Sequence, residues 1–181
     1  MSHPSSYPIV SLTDAQSSFA AAKGTVGGKY KQNGLYSCYD TSYGWQTLRF
    51  VYLDDAVDAA LGSVAECSDL GPGNVTVDRN GSVVGLHPFA GVFKGTVTAT
   101  QYGFVVVGVG DKCFVSTGGS EAANSLLVVH TSTDKLATAW APTSTAPTVA
   151  QMIQGHVSAF GHLLAADGST GGAVILTRMG M

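Results

Sequence analysis

The stretch from His87 to Val115 constrains the fold more than any other part of the chain. Its sequence, HPFAGVFKGTVTATQYGFVVVGVGDKCFV, is a series of short β-branched and aromatic runs, each closed by glycine. Glycine permits tight reversals and positive φ angles, while valine, threonine and phenylalanine suit a half-buried pleated sheet. This pattern predicts a mainly β fold, a compact β-barrel or sandwich of short strands. The stretch contains no nucleophile elbow, phosphate loop or metal-ligand spacing, which favours a protein that works through its surface.

Strand patterns also occur on both sides of this stretch. Two aromatic-rich runs, 34–40 and 46–53, flank an Asp/Gly turn and predict a β-hairpin. Within the first run, Leu35, Ser37 and Tyr39 are expected to share one face, because strand side chains alternate. Further strands are expected at 64–67, 75–77, 82–84, 126–131, 136–140, 156–164 and 173–177. The runs 126–131 and 136–140 flank a turn at 133–135, and the runs 156–164 and 173–177 flank a glycine-rich turn at 167–172, so each pair predicts a hairpin.

The N-terminal segment has a different character. Residues 1–12 are rich in serine and proline, which predicts an extended arm. The spacing of Thr13–Gln16 resembles a capping box before an alanine-rich run, so one short helix of about ten residues is expected, ending just before Gly24. We expect the arm to be mobile in isolation and to order against a neighbouring subunit, with Tyr7 and Ile9 as anchors.

These patterns suggest a simple division of the chain. Residues 1–30 form the N-terminal arm and short helix, and residues 31–181 form one β-barrel or sandwich domain. The strongest strand breaker, the sequence DLGPGN at 69–74, marks a candidate seam within that domain.

The chain is unusually poor in charge. Charged residues make up 12% of the sequence, against about 25% in an ordinary soluble domain. The net charge is −3, and the nine lysines and arginines are scattered, so the basic stripe of a nucleic-acid binder is missing. A surface with so little charge favours association. We therefore expect a homo-oligomer or a protein that works inside an assembly.

The three cysteines favour a reducing compartment. Cys38, Cys67 and Cys113 are odd in number and have apolar neighbours, which is typical of single buried thiols, although one disulfide plus a free thiol remains an alternative. The first ten residues lack the features of a signal peptide. No run approaches the ~18 apolar residues that span a bilayer. We expect synthesis in a host cytoplasm and no membrane partner.

Residues that often carry chemistry do not converge in the sequence. His156 and His162 would share a face of one strand about 20 Å apart, too far for one metal ion. The loop Ser116–Ser120 lacks the Gly-x-Ser-x-Gly spacing of a nucleophile elbow. Glu66 beside Cys67 would raise rather than lower the pKa of that thiol. No catalytic, cofactor-binding or metal-ligating residue is therefore expected, and no enzymatic activity.

An acidic cluster is the remaining candidate for a metal site. Asp54, Asp55 and Asp58 could bind Ca²⁺ loosely, but a Ca²⁺ site needs six or more oxygen ligands. A solvated turn is the expected structure.

Aromatic residues are concentrated between positions 30 and 52. Seven of them occur there, and aromatic side chains recur in interfaces because they bury a large area with few torsions to freeze. Tyr43 and Trp45, near the hairpin turn, are expected to be exposed. With Tyr7 and Ile9 of the arm, they are the candidate partner-interface residues.

Together these features resemble the small capsid decoration, or cement, proteins of tailed bacteriophages. The resemblance is a pattern of glycines and strands over most of residues 34 to 178. It rests on Gly91-Val92, Thr98–Val105, Val107–Val115, Gly161–Ala165 and Gly168–Leu176. It implies a protein without catalytic residues that binds the major capsid protein on the outside of the shell, often as a homotrimer, and stabilises the virion.

A different class of function stays open. A receptor- or glycan-binding module of a head fibre or tail would use Tyr43, Trp45 and Trp140 as an exposed sugar platform.

Overall fold

The computed structural model describes residues 7–68, 73–77, 89–117, 119, 121–129, 137–139, 159–166, 171–177 and 180. In these residues the chain forms one short helix, α1 (Leu12–Ala15), and eleven strands, so the predicted mainly β fold is confirmed. The strands are β1 (Leu35–Asp40), β2 (Gly44–Leu53), β3 (Val64–Cys67), β4 (Asn74–Thr76), β5 (Phe89–Phe93), β6 (Tyr102–Val106), β7 (Lys112–Ser116), β8 (Leu126–Val129), β9 (Ala137–Ala139), β10 (Gly161–Leu163) and β11 (Gly171–Leu176).

Five strands close into a barrel around which the rest of the chain is arranged. The strand order is β1-β2-β4-β3-β5-β6, and β6 pairs back to β2. Closure is possible because β2 is ten residues long and has room for three partners. Its first half pairs with β1 and its end pairs with β4, while β6 occupies its opposite edge. The predicted hairpin of β1 and β2 is confirmed, with Tyr39 opposite Trp45 beside the turn.

The barrel interior is filled by one side of each strand. Side chains along β2 therefore point alternately into and out of the barrel. Val51 and Leu53 point inward, whereas Leu48 and Phe50 belong to a second cluster outside the barrel, the outer cluster. The remaining buried members of the inner cluster are Ala59, Ala65, Val75, Val77, Ala90, Phe93, Val97, Val105 and Val107. Small and β-branched side chains predominate, as a narrow barrel requires.

Two glycines serve this packing. A Cβ on Gly103 would lie 2.1 Å from a methyl carbon of Val97, so only glycine fits there. Gly91 lies inside β5 with φ +149° and packs against Val105, next to the register shift between β3 and β5. The expectation that each glycine closes a strand run is therefore wrong at Gly91, where the glycine accommodates an irregularity within a strand.

The N-terminal segment covers the outer face of β2 and β6. The backbone of Phe19 exchanges two hydrogen bonds with Tyr102, each 2.8 Å long. Its ring packs edge-on against Tyr30, Phe50 and Phe104, with ring centroids 5.3 to 6.2 Å apart. This aromatic cluster anchors the segment to the barrel.

The helix is shorter and begins earlier than predicted. Ser11, rather than Thr13, is the N-cap, and its hydroxyl accepts a hydrogen bond from the N–H of Asp14 at 3.1 Å. α1 has four residues instead of about ten. The predicted continuation is wrong because Phe19 takes part in strand-like pairing, and this tertiary contact overrides the weak helix preference of an alanine-rich run.

The part of the arm nearest to α1 is held by its own chain. The N–H of Val10 donates to the carbonyl of Ser37 at 2.8 Å, and the N–H of Ser37 donates to the carbonyl of Pro8 at 2.9 Å. The Val10 side chain is buried in the outer cluster. Residues 8–12, which were predicted to order against a neighbouring subunit, thus contact their own chain, while residues 1–6 lie outside the described residues.

A second sheet packs against the barrel, with strand order β7-β11-β10-β8-β9. The predicted β8–β9 and β10–β11 hairpins are confirmed as antiparallel pairs. A bridge between Thr117 and Ala137 connects the residue after β7 to β9. At the junction with the barrel, the rings of Phe89 and Phe160 stack with centroids 4.6 Å apart, and the N–H of Ser116 donates to the carbonyl of Gly62 at 2.9 Å.

Several sequence predictions fall outside the described residues. They concern the strand at 82–84, His156, Trp140 and most of the breaker at 69–74. The strands on either side of that breaker, β3 and β4, are antiparallel neighbours in one sheet.

Candidate functional site

The β1–β2 hairpin presents two opposite faces. One carries Cys38 into the outer core cluster, together with Val10 of the arm. The other carries Tyr39, which is 53% exposed, and its cross-strand partner Trp45. The Tyr39 and Trp45 rings meet edge-on with centroids 5.4 Å apart, so each limits the mobility of the other.

The arm extends the exposed face of the hairpin. Ile9 pairs in parallel with Ser37, which places the two side chains on the same face as Tyr39. Ile9 is 68% exposed and Tyr7, two residues earlier, is 37% exposed. We call Tyr7, Ile9, Tyr39 and Trp45 the arm–hairpin face.

Three of the four predicted interface residues belong to this face, and one does not. Tyr7 and Ile9 are exposed, whereas Trp45 and Tyr43 are half-buried, so their predicted exposure is wrong. Trp45 packs on Tyr39, and Tyr43 turns toward a cavity instead. Tyr39 was missed as an interface residue, although strand alternation could have identified it, because Tyr39 follows the buried Cys38 on the opposite face.

A buried ion pair lies behind the hairpin turn. The Lys94 ammonium, at the end of β5, contacts a carboxylate oxygen of Asp40, the last residue of β1. Lys94 is 4% exposed and Asp40 is 6% exposed. The other carboxylate oxygen of Asp40 accepts the N–H groups of Ser42 at 2.7 Å and Tyr43 at 3.2 Å, which fixes the turn.

The ionic contacts determine the charge state of Asp40. Burial alone would raise the pKa of Asp40, but the hydrogen bond from Lys94 and the N–H groups of Ser42 and Tyr43 outweigh it, so the pKa is lowered. Burial raises the pKa of the Tyr43 phenol, and the Asp40 charge adds to this effect. At neutral pH the site therefore holds a carboxylate and a neutral phenol.

The ion pair borders a cavity of about 270 Å³. The Lys94 nitrogen lies 5.6 Å from the centroid of the Tyr43 ring, within reach of a cation–π contact. The cavity wall also includes apolar side chains from five separate parts of the chain, namely Leu12, Leu61, Phe93, Val106 and Phe114. The cavity is thus lined by the Asp40–Lys94 ion pair on one side and by apolar and aromatic side chains on the others.

The cysteines have no disulfide partner in the structure. Cys38 and Cys113 are buried as predicted, whereas Cys67 is partly exposed. Burial raises the pKa of Cys113, which borders the cavity, to about 12. Such a thiol is protonated at neutral pH and is a poor nucleophile or metal ligand.

The acidic cluster has a structural role. Asp55 is buried, and its carboxylate accepts the hydroxyl of Thr76 at 3.0 Å and the N–H of Val77 at 3.1 Å. Asp58 accepts the N–H of Ala99 at 2.8 Å. Across the described part of the chain, no three His, Cys, Asp or Glu side chains gather as a metal site would require.

Comparison with known proteins gives a likeness in structure and none in sequence. No protein-family model and no curated protein sequence matches the chain. The chain is similar in structure to the head fiber gp8.5 N base of bacteriophage phi29, with a TM-score of 0.44 and 12% sequence identity over 74% of this chain and 98% of that one. A likeness of this size carries no argument about function. Within the described residues, no helix has the length and apolar character needed to cross a membrane.

Proposed function

We propose that this protein is a structural component of a tailed-phage virion that binds the outer surface of the capsid and stabilises the shell. The arm–hairpin face carries the proposal, because it gathers exposed apolar side chains on a hydrogen-bonded hairpin. The glycine-and-strand pattern of residues 34 to 178 supports a capsid decoration protein. The charge content of 12% supports a protein that works as part of an assembly. The partner is the major capsid protein, no enzymatic step is involved, and the protein acts as a homotrimer.

The arm–hairpin face suits attachment in its physical properties. Tyr39 and Trp45 already hold each other in place, and Ile9 is fixed by the backbone pairing of the arm with β1. Preorganised side chains lose little conformational entropy on binding. Aromatic and aliphatic anchors of this kind supply most of the binding energy of many interfaces.

Stabilisation of the shell then follows from mass action. A protein that binds only the intact shell stabilises it by about 2.7 kcal/mol per site at a hundredfold excess over the dissociation constant. Many sites on one particle add these modest contributions, so a weak contact repeated over the shell can decide whether the particle survives heating.

The sugar-platform form of the alternative function has less support. Tyr43 faces the cavity while Trp45 packs on Tyr39, so these two rings do not form one exposed surface. Trp140 lies outside the described residues.

Co-sedimentation with expanded empty capsids tests the proposed function. We expect the unaltered protein to sediment with the capsids and the double substitution Ile9→Ser with Tyr39→Ser to abolish binding. Leu164→Ser is the matched control, because it removes an exposed aliphatic side chain that follows β10 in the second sheet. Binding that survives the double substitution, or that is lost equally in the control, would contradict attachment through the arm–hairpin face.

A further inference from the structure

The cavity beside Asp40 and Lys94 has a hydrogen-bonding capacity that the protein leaves unused. A lysine ammonium carries three N–H donors. Among the residues that the structure describes, Asp40 provides the only hydrogen-bond acceptor for Lys94, which is almost fully buried. A buried donor without a partner is costly, so the remaining N–H groups of Lys94 are available to an acceptor inside the cavity, either water or a ligand that displaces it. The Asp40 carboxylate, unlike the Lys94 ammonium, already has three hydrogen-bond partners, because it accepts from Lys94, Ser42 and Tyr43.

Charge limits what can occupy this cavity. Asp40 and Lys94 form a neutral pair with little contact with solvent. A carboxylate or phosphate would lie beside the negative Asp40, and an ammonium would lie beside the positive Lys94. Either ion would add an uncompensated charge to a buried site, at a large cost in desolvation. The occupant is therefore uncharged.

The volume and lining of the cavity limit the possible occupants further. The volume of about 270 Å³ lies below the roughly 300–1,000 Å³ of pockets for drug-sized ligands. It suits a single ring. The wall offers Tyr43 and Phe114, whose rings can cover an apolar face of such a ring, while Thr41 and Ser42 add hydroxyl groups at the turn.

From these contacts we infer that the cavity is a binding site for one neutral sugar ring, with adjacent hydroxyl groups bound by Lys94 and Asp40. Each hydroxyl both accepts and donates. One hydroxyl accepts from Lys94, and its neighbour donates to the remaining lone pair of the Asp40 oxygen that contacts Lys94. The Tyr43 ring packs against the C–H face of the sugar. This site is separate from the arm–hairpin face, because Asp40 and Tyr39 point to opposite sides of β1.

The amide signals of Ser42 and Tyr43 report on this site directly, since both N–H groups donate to Asp40. The ¹⁵N-labelled full chain is titrated with the neutral methyl glycosides of glucose, galactose and mannose. Sodium acetate, ethylammonium chloride and propionamide serve as comparison probes at matched ionic strength. We expect at least one glycoside to shift these two amides saturably and the two charged probes to leave them unchanged.

Variants outside the ion pair keep the test independent of folding. Lys94→Met would leave Asp40 buried without its partner, so Tyr43→Leu is used to remove the ring that covers the sugar. It should weaken glycoside binding about tenfold. Tyr52→Leu is the matched control, because Tyr52 is a half-buried tyrosine of β2 that does not line the cavity, and this variant should bind the glycoside as the unaltered protein does.

Each other outcome overturns the inference. A sugar site here is excluded if no glycoside shifts the Ser42 and Tyr43 amide signals. It is also excluded if Tyr43→Leu binds the glycoside as tightly as the unaltered protein does. Saturation by propionamide alone would assign the cavity to a carboxamide side chain of a partner protein. Saturation by acetate would refute the charge argument. Capsid attachment is scored separately with the Ile9 and Tyr39 variants, so the failure of one proposal is distinguishable from the failure of the other.

Discussion

At the scale of single residues, the pair formed by Asp40 and Lys94 shows how distant positions define a site. The two residues are 54 positions apart in sequence, and the ion pair exists because β1 and β5 each end at the same place in the fold. No local pattern marks Lys94 as buried, since lysine is almost always exposed unless it is paired. The ion pair could therefore be identified only from the structure, whereas the sequence alone predicted that Asp40 lies in a turn.

Removal of Lys94 should be strongly destabilising. Lys94→Met leaves the Asp40 carboxylate buried without its partner, and we expect the free energy of unfolding to fall by about 3–5 kcal/mol. Lys29→Met is the matched control, because Lys29 pairs with Asp14 but is largely exposed. Its effect should be much smaller, since solvent screens an exposed pair. Urea unfolding of both variants measures the difference, and equal losses would contradict a structural role for the buried pair.

Acid should act through the same carboxylate. The pKa of Asp40 is lowered in the folded state, so its stabilising contribution is present above the unfolded value of about 3.9 and is lost as pH falls through the folded pKa. Asp40→Asn removes this titration. We expect its free energy of unfolding to fall less steeply than that of the unaltered protein below about pH 4. Identical slopes would contradict the lowered pKa.

At the scale of elements, glycine positions decide how tightly the barrel closes. Gly103 in β6 faces Val97, and the 2.1 Å approach of an added Cβ leaves no room for any side chain. The barrel interior is otherwise filled with small and β-branched residues. A narrow barrel therefore depends on glycine where two inward-facing segments meet.

The contact between Gly103 and Val97 can be tested by substitution and rescue. Gly103→Ala should destabilise the protein by about 1–3 kcal/mol through overpacking. Adding Val97→Ala should restore part of this loss, because it removes the methyl groups that the new Cβ meets. Thermal unfolding of the single and double variants measures the coupling. Strictly additive losses would show that the two positions do not interact.

The elements also separate what the sequence could predict from what it could not. The hairpin β1–β2 and the hairpins of the second sheet follow from local alternation and turn residues, and these predictions are confirmed. The helix failed because Phe19 pairs with Tyr102, 83 positions away along the chain. The docking of Val10 on β1 was missed for the same reason. Alternation along β1 could have identified Tyr39, which was missed, and Tyr43 was misplaced because it lies in the turn, where alternation ends.

At the scale of the whole molecule, two surfaces on one hairpin have separate roles in this account. We propose that the arm–hairpin face attaches the protein to a shell and that the cavity on the other side binds a small neutral ligand. The exposed side chains Tyr7, Ile9 and Tyr39 make the arm–hairpin face apolar. Apolar contacts are little affected by salt, whereas contacts between exposed ions weaken as salt is added.

Heating of virions tests the central claim most directly. Virions that carry this protein under the proposed function are stripped of it and heated with and without the purified protein, from low to high salt, while release of DNA is followed. We predict that added protein raises the release temperature and that the increase is nearly the same at every salt concentration. Equal release temperatures with and without the protein would contradict the proposed function. Protection that disappears at high salt would contradict attachment through an apolar face.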